Sequence, residues 1–135
     1  MQAVLDPSVV VSALIARAGP AARLLIAFRS GAFDLVVSPA LLEEIERLVR
    51  RPAVRPYVGD AEASAVVDVL TEEGVLLDDP PPAERPLGED PGDEYLIALA
   101  RAAGARALVT VDPHLTALAD RLPILTPSEF LLIVE

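Results

Sequence analysis

The sequence predicts an α/β fold, a three-layer α/β/α sandwich with a central, mainly parallel, Rossmann-like sheet. Short apolar segments of strand length alternate along the chain with longer segments of helical period, and Pro or Gly marks most of the boundaries. This alternation is typical of a parallel sheet that helices cover on both faces. Because the 135 residues contain no linker and no internal repeat, we expect a single domain over residues 1–135.

The elements follow from hydrophobic period and from the residues at their ends. Ser38 and Pro39 are typical of a helix start, with Ser as the N-cap and Pro at the first helical position. Gly31, Gly74 and Gly104 each end a helical segment. The predicted strands are residues 3–5, 33–37, 75–77, 107–111 and 124–125. The predicted helices are residues 9–16, 20–30, 39–51, 60–73, 93–103 and 113–120, and a last one from residue 127.

Residues 78–92 interrupt this alternation. The segment carries five prolines and several acids, so we expect no regular structure in it. We interpret it as an acidic loop that is long enough to be a lid or a functional insert.

The composition excludes several classes of chemistry. The chain has no Cys and no Lys, and His114 is its only histidine. Thiol nucleophiles, Schiff-base lysines and thiolate or multi-histidine metal sites are therefore excluded. The absence of Cys fits a cytoplasmic protein. We expect no membrane segment, because no stretch approaches the roughly 20 consecutive apolar residues that a membrane helix needs.

Four carboxylates lie where a parallel sheet would bring distant segments together. Asp6 and Asp112 each follow a predicted strand and precede a helix, a position at which sites form in α/β sheets. Asp93 starts a helix, and Glu44 lies at the edge of the apolar face of its own helix. Each acid alone is better explained by an ordinary structural role such as an N-cap. Together they predict a shared site that holds a cation, because crowded carboxylates must take up protons or bind one.

Oxygen ligands without Cys favour Mg²⁺ or Mn²⁺ over zinc or copper. Enzymes that hydrolyse phosphodiesters commonly use such a cation. The net charge of −10 argues against binding nucleic acid by bulk charge. A local arginine cluster could still contact an RNA backbone, and a solvated helix end is an equally good interpretation of it. The cluster consists of Arg47, Arg50, Arg51 and Arg55.

The order of motifs resembles the PIN-domain family, and within it the VapC-like toxin components of bacterial toxin–antitoxin systems. The motifs that carry the resemblance are VLDPSVVVSAL, FDLVVSPALLEEIERLVRRP, EDPGDEYLIALARAAGARALVTVD and ILTPSEFL. The resemblance implies a metal-dependent, single-strand endoribonuclease. It also implies a homodimer and a small antitoxin partner that covers the acidic groove.

The resemblance assigns the family's acidic quartet to Asp6, Glu44, Asp93 and Asp112, as metal ligands and catalytic residues. Asp90 matches an additional acid before the third motif. Glu43 and Glu94 are neighbouring acids, and helical phase and motif register favour Glu44 and Asp93 over them.

The chain departs from the family pattern at three positions. Pro7 and Ser8 replace a hydroxyl residue followed by Asn, Val111 replaces a Gly, and His114 replaces an acid. Ser8 and Thr110 are candidate hydrogen-bonding residues of the site, with helix capping and strand propensity as alternative explanations. These departures motivate a second hypothesis, a PIN-like module with weak or no catalysis that binds protein or RNA. Receiver domains and aspartate phosphatases are set aside, because both rely on a lysine.

Overall fold

The computed structural model describes residues 1–81 and 91–135, and in them a five-stranded parallel sheet is flanked by helices. The strands are β1 (Gln2–Leu5), β2 (Asp34–Val37), β3 (Val75–Leu76), β4 (Ala107–Val109) and β5 (Ile124–Leu125). The helices are α1 (Pro7–Ile15), α2 (Pro20–Arg29), α3 (Pro39–Val49), α4 (Asp60–Glu73), α5 (Glu94–Ala103), α6 (Pro113–Thr116) and α7 (Pro127–Val134). A 3₁₀ turn at Pro91–Asp93 precedes α5. The predicted three-layer α/β/α fold is confirmed.

The strand order is β3-β2-β1-β4-β5, which places β1 at the centre. In the register of β1 and β4, Leu5 lies opposite Val109. The backbone N–H of Asp6 donates to the carbonyl oxygen of Val109 at 2.9 Å, so pairing continues one residue beyond β1. The residues that follow these two strands therefore lie side by side at the carboxyl edge of the sheet.

Apolar burial explains why these short strands are stable. The side chains of Val4, Val36 and Val109 are fully buried, since helices cover both faces of the sheet. Helix α5 packs on β1 and β4, α4 on β2, and α7 on β4 and β5. Phe130 of α7 meets the ring of Phe33 edge-on, with 5.1 Å between the ring centroids. This contact ties the C-terminal helix to the segment that leads into β2.

Proline and polar caps set the start of most helices. Proline occupies the first position of α1, α2, α3, α6 and α7. The hydroxyl of Ser38 accepts the backbone N–H of Leu41 at 3.2 Å and caps α3, as predicted. Gly104 ends α5 in the left-handed region with φ of 60°, a conformation that favours glycine.

Several element boundaries differ from the sequence prediction by one to four residues. Strand β4 ends at Val109 and not at residue 111, because the chain turns where the backbone N–H of Asp112 donates to the hydroxyl of Thr110. The helix predicted at 113–120 ends at Thr116, since the next N–H groups bond to carbonyls three residues back, as in Leu118 to Leu115. The helix predicted at 39–51 ends at Val49.

Most of the predicted acidic loop lies outside the described residues, and so does Asp90. Its first residues, 78–81, have no regular structure, while its last two belong to the 3₁₀ turn. In the two described ranges, no single helix is long and apolar enough to cross a membrane. Helices α1 and α2 together pass that test by length and composition, but they are bent by 102°.

Candidate functional site

A polar cavity of about 590 Å³ lies at the carboxyl edge of the sheet. All four acids of the predicted quartet line it, although they come from four separate segments of the chain. The lining residues are Asp6, Pro7, Ser8, Glu44, Arg47, Leu48, Arg51, Gly92, Asp93, Tyr95, Leu96 and Asp112. We call this space the acidic cavity. The structure thus brings the quartet together, while the roles of the four acids remain predictions.

Asp6 is the most enclosed acid of the quartet, with 8% of its surface exposed. One carboxylate oxygen, Oδ1, accepts the backbone N–H of Ser8 at 3.0 Å and caps α1. The other, Oδ2, accepts the hydroxyl of Thr110 at 2.7 Å. A carboxylate oxygen can accept more than one hydrogen bond or cation contact. Capping and ligand binding are therefore compatible at Asp6.

Thr110 connects two acids of the cavity. Its hydroxyl donates to Asp6 and accepts the backbone N–H of Asp112 at 3.0 Å. Thr110 is fully buried and its bond to Asp6 is shielded from solvent, while the bond from the N–H of Asp112 is partly buried. Thr110 therefore fixes the side chain of Asp6 relative to the backbone of Asp112.

Asp112 caps α6 and lies against His114. Its Oδ1 accepts the backbone N–H of His114 at 2.9 Å and lies 3.1 Å from Nδ1 of the same imidazole. The imidazole is more exposed than the carboxylate, so His114 lies on the solvent side of Asp112. His114 is therefore a surface residue beside Asp112.

Glu44 forms a two-point ion pair with Arg47 on the same helix. Nε of Arg47 donates to Oε2 of Glu44 at 3.0 Å, and Nη2 donates to Oε1 at 2.5 Å. These hydrogen bonds and the charge of Glu44 raise the pKa of Arg47 above its ordinary value. The sequence prediction missed this pair, although an acid and an arginine three residues apart on a helix are neighbours.

Asp93 ends the 3₁₀ turn and precedes α5, which brings its carboxylate to the cavity. Two residues on, Tyr95 is a cavity residue that the sequence prediction missed. Burial, followed by the charges of Glu44, Asp6, Asp79 and Asp93, raises the pKa of its phenol. The hydroxyl is buried and has no hydrogen-bond partner in residues 1–81 and 91–135. It therefore keeps its proton and can donate to an oxygen ligand.

Asp79 links the chain after β3 to the helix that carries Glu44. Its Oδ2 accepts the backbone N–H of Ala40, in the first turn of α3, at 2.9 Å. A negative side chain is favoured there by the helix dipole. Asp79 is thus an additional acid whose charge helps to raise the pKa of Tyr95, and no motif in the sequence singled it out.

The structure divides the predicted arginine cluster into two pairs. Arg47 and Arg51 line the acidic cavity. Arg50 instead joins α3 to α4, through Glu46 on its own helix at 2.5 Å and Asp60 at 3.2 Å. Arg55 lies 4.0 Å from the same Asp60 carboxylate. Phosphate contact within the cavity is therefore open to the first pair only.

Three of the residues that depart from the family pattern line two different cavities. Pro7 and Ser8 line the acidic cavity. Val111 does not: its side chain lines a separate apolar cavity of about 230 Å³ beside α1, α2 and the start of α7. The valine in place of glycine therefore leaves the acidic cavity open.

The donor chemistry of the cavity fits a hard divalent cation. Its walls supply carboxylates and hydroxyl groups, without sulfur ligands. In the described ranges, however, no three His, Asp or Glu side chains are arranged to hold one ion together. Mg²⁺ keeps several waters and commonly takes one or two carboxylates directly, so a roomy cavity with acidic walls suits it.

The fold and the site define an α/β domain with an acidic cavity at the carboxyl edge of a parallel sheet. The PIN-domain family profile matches residues 2–114, and the chain belongs to that family. PIN domains are generally nucleases and generally use divalent metal ions. No match was found among curated protein sequences.

A solved structure of VapBC2 from Rickettsia felis, bound to a DNA fragment from its promoter, has a similar fold. The TM-score is 0.61 at 14% sequence identity, and the match covers 93% of this chain and 98% of that chain.

Proposed function

We propose that this chain is a divalent-metal-dependent endoribonuclease that cleaves single-stranded RNA, and that it is the toxin of a toxin–antitoxin pair. One observation carries the proposal: acids from four separate segments line one cavity in a PIN domain. N-capping alone would explain two of these positions, Asp6 and Asp112. It does not explain why Glu44 and Asp93 line the same space.

In the proposed reaction, the carboxylates of the cavity hold Mg²⁺ or Mn²⁺ and orient the attacking water. A cation held there would supply activation of that water and a positive charge to offset the phosphate and the leaving oxygen. Thr110 keeps Asp6 in position through its buried hydroxyl. Arg51 contacts the phosphodiester from the cavity wall, where a planar guanidinium matches phosphate oxygens.

The proposed partners are a small antitoxin and a second copy of the chain. The similar structure is a VapBC2 complex, and an acidic cavity suits a basic segment of an antitoxin. Exposed apolar side chains, among them Ile26 on α2 and Leu132 on α7, support a homodimer.

A PIN-like binding module without strong catalysis is the second candidate. The ion pair between Glu44 and Arg47 favours it, because one acid of the quartet already has a cationic partner. An absence of Mn²⁺ binding at millimolar concentration, together with an absence of RNA cleavage, would support this alternative.

The test is an RNA cleavage assay with Mg²⁺, with Mn²⁺ and with EDTA. Asp93→Asn and Glu44→Gln should lose cleavage and keep the circular dichroism spectrum of the wild type. Glu43→Gln is the matched control, since it removes one charge from the exposed neighbour of Glu44 and should retain cleavage. Cleavage that persists in EDTA or in Asp93→Asn would contradict the proposal.

A further inference from the structure

We propose that Arg47 is a positioning residue that acts through Glu44, as an internal counter-ion that competes with the divalent cation. In the structure Arg47 holds the Glu44 carboxylate. When a cation binds, Glu44 exchanges one positive partner for the other, and the guanidinium becomes available to a phosphate oxygen. The inference rests on the proposed function, because it takes the acidic cavity to be a cation site.

The geometry of the pair is the first support. Two nitrogens of the guanidinium donate to the two oxygens of Glu44, so both carboxylate oxygens are engaged. A carboxylate oxygen can accept a hydrogen bond and a cation together, but a guanidinium and a divalent cation on one carboxylate repel each other, so a cation that takes Glu44 as a ligand weakens these bonds. Arg50 and Glu46 form a comparable pair on the same helix, but neither residue lines the acidic cavity.

The balance of charge in the cavity is the second support. Among residues 1–81 and 91–135, four carboxylates line it, and the cations on its walls are Arg47 and Arg51. Crowded carboxylates disfavour one another's charged form, and a nearby guanidinium relieves that repulsion. A divalent cation would relieve it in the same way. Arg47 and the cation therefore interact with the same carboxylate and repel each other. The two compete for Glu44.

An ordinary ion pair on a helix surface makes a different prediction. Such a pair at this spacing would stabilise the helix slightly and leave the affinity of a metal ion unchanged. Affinity for the metal alone, measured without RNA, therefore separates the two explanations.

The first experiment is calorimetric titration of Mn²⁺ into the wild type, Arg47→Gln and Arg17→Gln, at an ionic strength of about 50 mM. Arg17→Gln is the matched control, because it breaks the exposed pair of Arg17 with Glu62 and removes the same charge outside the cavity. Arg47→Gln should lower the Kd for Mn²⁺ about threefold to tenfold. Arg17→Gln should change it by less than about twofold.

The second experiment follows the arginine Nε–H signals by NMR during a titration with diamagnetic Mg²⁺. The Arg47 signal should shift with the same midpoint as the backbone amides of the cavity, because its bond to Glu44 is lost. The Arg50 signal should stay in place, since its bond to Glu46 lies outside the cavity.

Each outcome supports or overturns the inference. If the wild type binds Mn²⁺ and cleaves RNA while Arg47→Gln binds Mn²⁺ no more tightly, the counter-ion role is wrong and the proposed function stands. If neither protein binds Mn²⁺, both proposals fail. If only Arg47→Gln binds Mn²⁺, Arg47 is a stronger competitor than we expect, and the inference is supported.

Discussion

Replacing Thr110 by Val tests whether one buried hydroxyl organises the acidic cavity. Valine keeps the shape of threonine and removes the group that joins Asp6 to Asp112. Thr110→Ser is the matched control, because it keeps the hydroxyl and removes only the methyl group.

The structure gives the expected size of the effect. The 2.7 Å bond from Thr110 to the Asp6 carboxylate is buried, and a hydrogen bond to a charged group contributes roughly 1.5–3 kcal/mol. The N–H of Asp112 also loses its acceptor, which costs about 1 kcal/mol at a partly buried site. Thr110→Val should therefore lower the free energy of unfolding by about 2.5–4 kcal/mol. Loss of the buried methyl group in Thr110→Ser should cost only about 1 kcal/mol.

The measurement is urea unfolding, followed by far-UV circular dichroism in EDTA at neutral pH. A shift of the midpoint with an unchanged slope would identify a change in stability, since the slope reports the surface that unfolding exposes. If Thr110→Val is as stable as Thr110→Ser, the hydroxyl does not organise the cavity, and the reasoning is refuted.

Two further predictions concern the scaffold. Gly74→Ala should destabilise the fold by about 1–3 kcal/mol, because a Cβ there would lie 2.5 Å from the backbone oxygen of Leu70 and 3.1 Å from a carbonyl of β2. Thermal unfolding measures this, and a melting temperature equal to that of the wild type would contradict it. Hydrogen bonds to the backbone and the hydroxyl of Thr126 lower the pKa of Glu129, so its contribution to stability is present above about pH 4.3 and is lost as the pH falls through the lowered pKa. The difference in melting temperature between the wild type and Glu129→Gln should therefore shrink on acidification, and a pH-independent difference would count against this capping box.

Much of the fold followed from local patterns in the sequence. Pro and Gly at the boundaries, together with alternating apolar segments, were enough to predict the five strands and the parallel sheet. The positions of Asp6 and Asp112 at the sheet edge followed as well, because each comes soon after a strand. The end of β4 did not follow, because it depends on a hydrogen bond between the side chain of Thr110 and the backbone of Asp112.

The details of the cavity depend on contacts between distant residues. Asp6 and Thr110 are 104 positions apart, and only the register of β1 and β4 brings them within hydrogen-bond distance. No pattern in the sequence around Tyr95 predicts that its hydroxyl is buried either. The pair of Arg47 with Glu44 has the right spacing, but spacing leaves open whether the arginine turns toward its own helix or toward RNA.

The most direct test of the central claim is anomalous diffraction from crystals grown with Mn²⁺. We expect an anomalous peak in the acidic cavity, with oxygens of at least two of the acids Asp6, Glu44, Asp93 and Asp112 as direct ligands. The same peak should be lost in Asp93→Asn. A cavity without a peak at saturating Mn²⁺, or a peak that Asp93→Asn leaves unchanged, would contradict the claim that these acids share a cation.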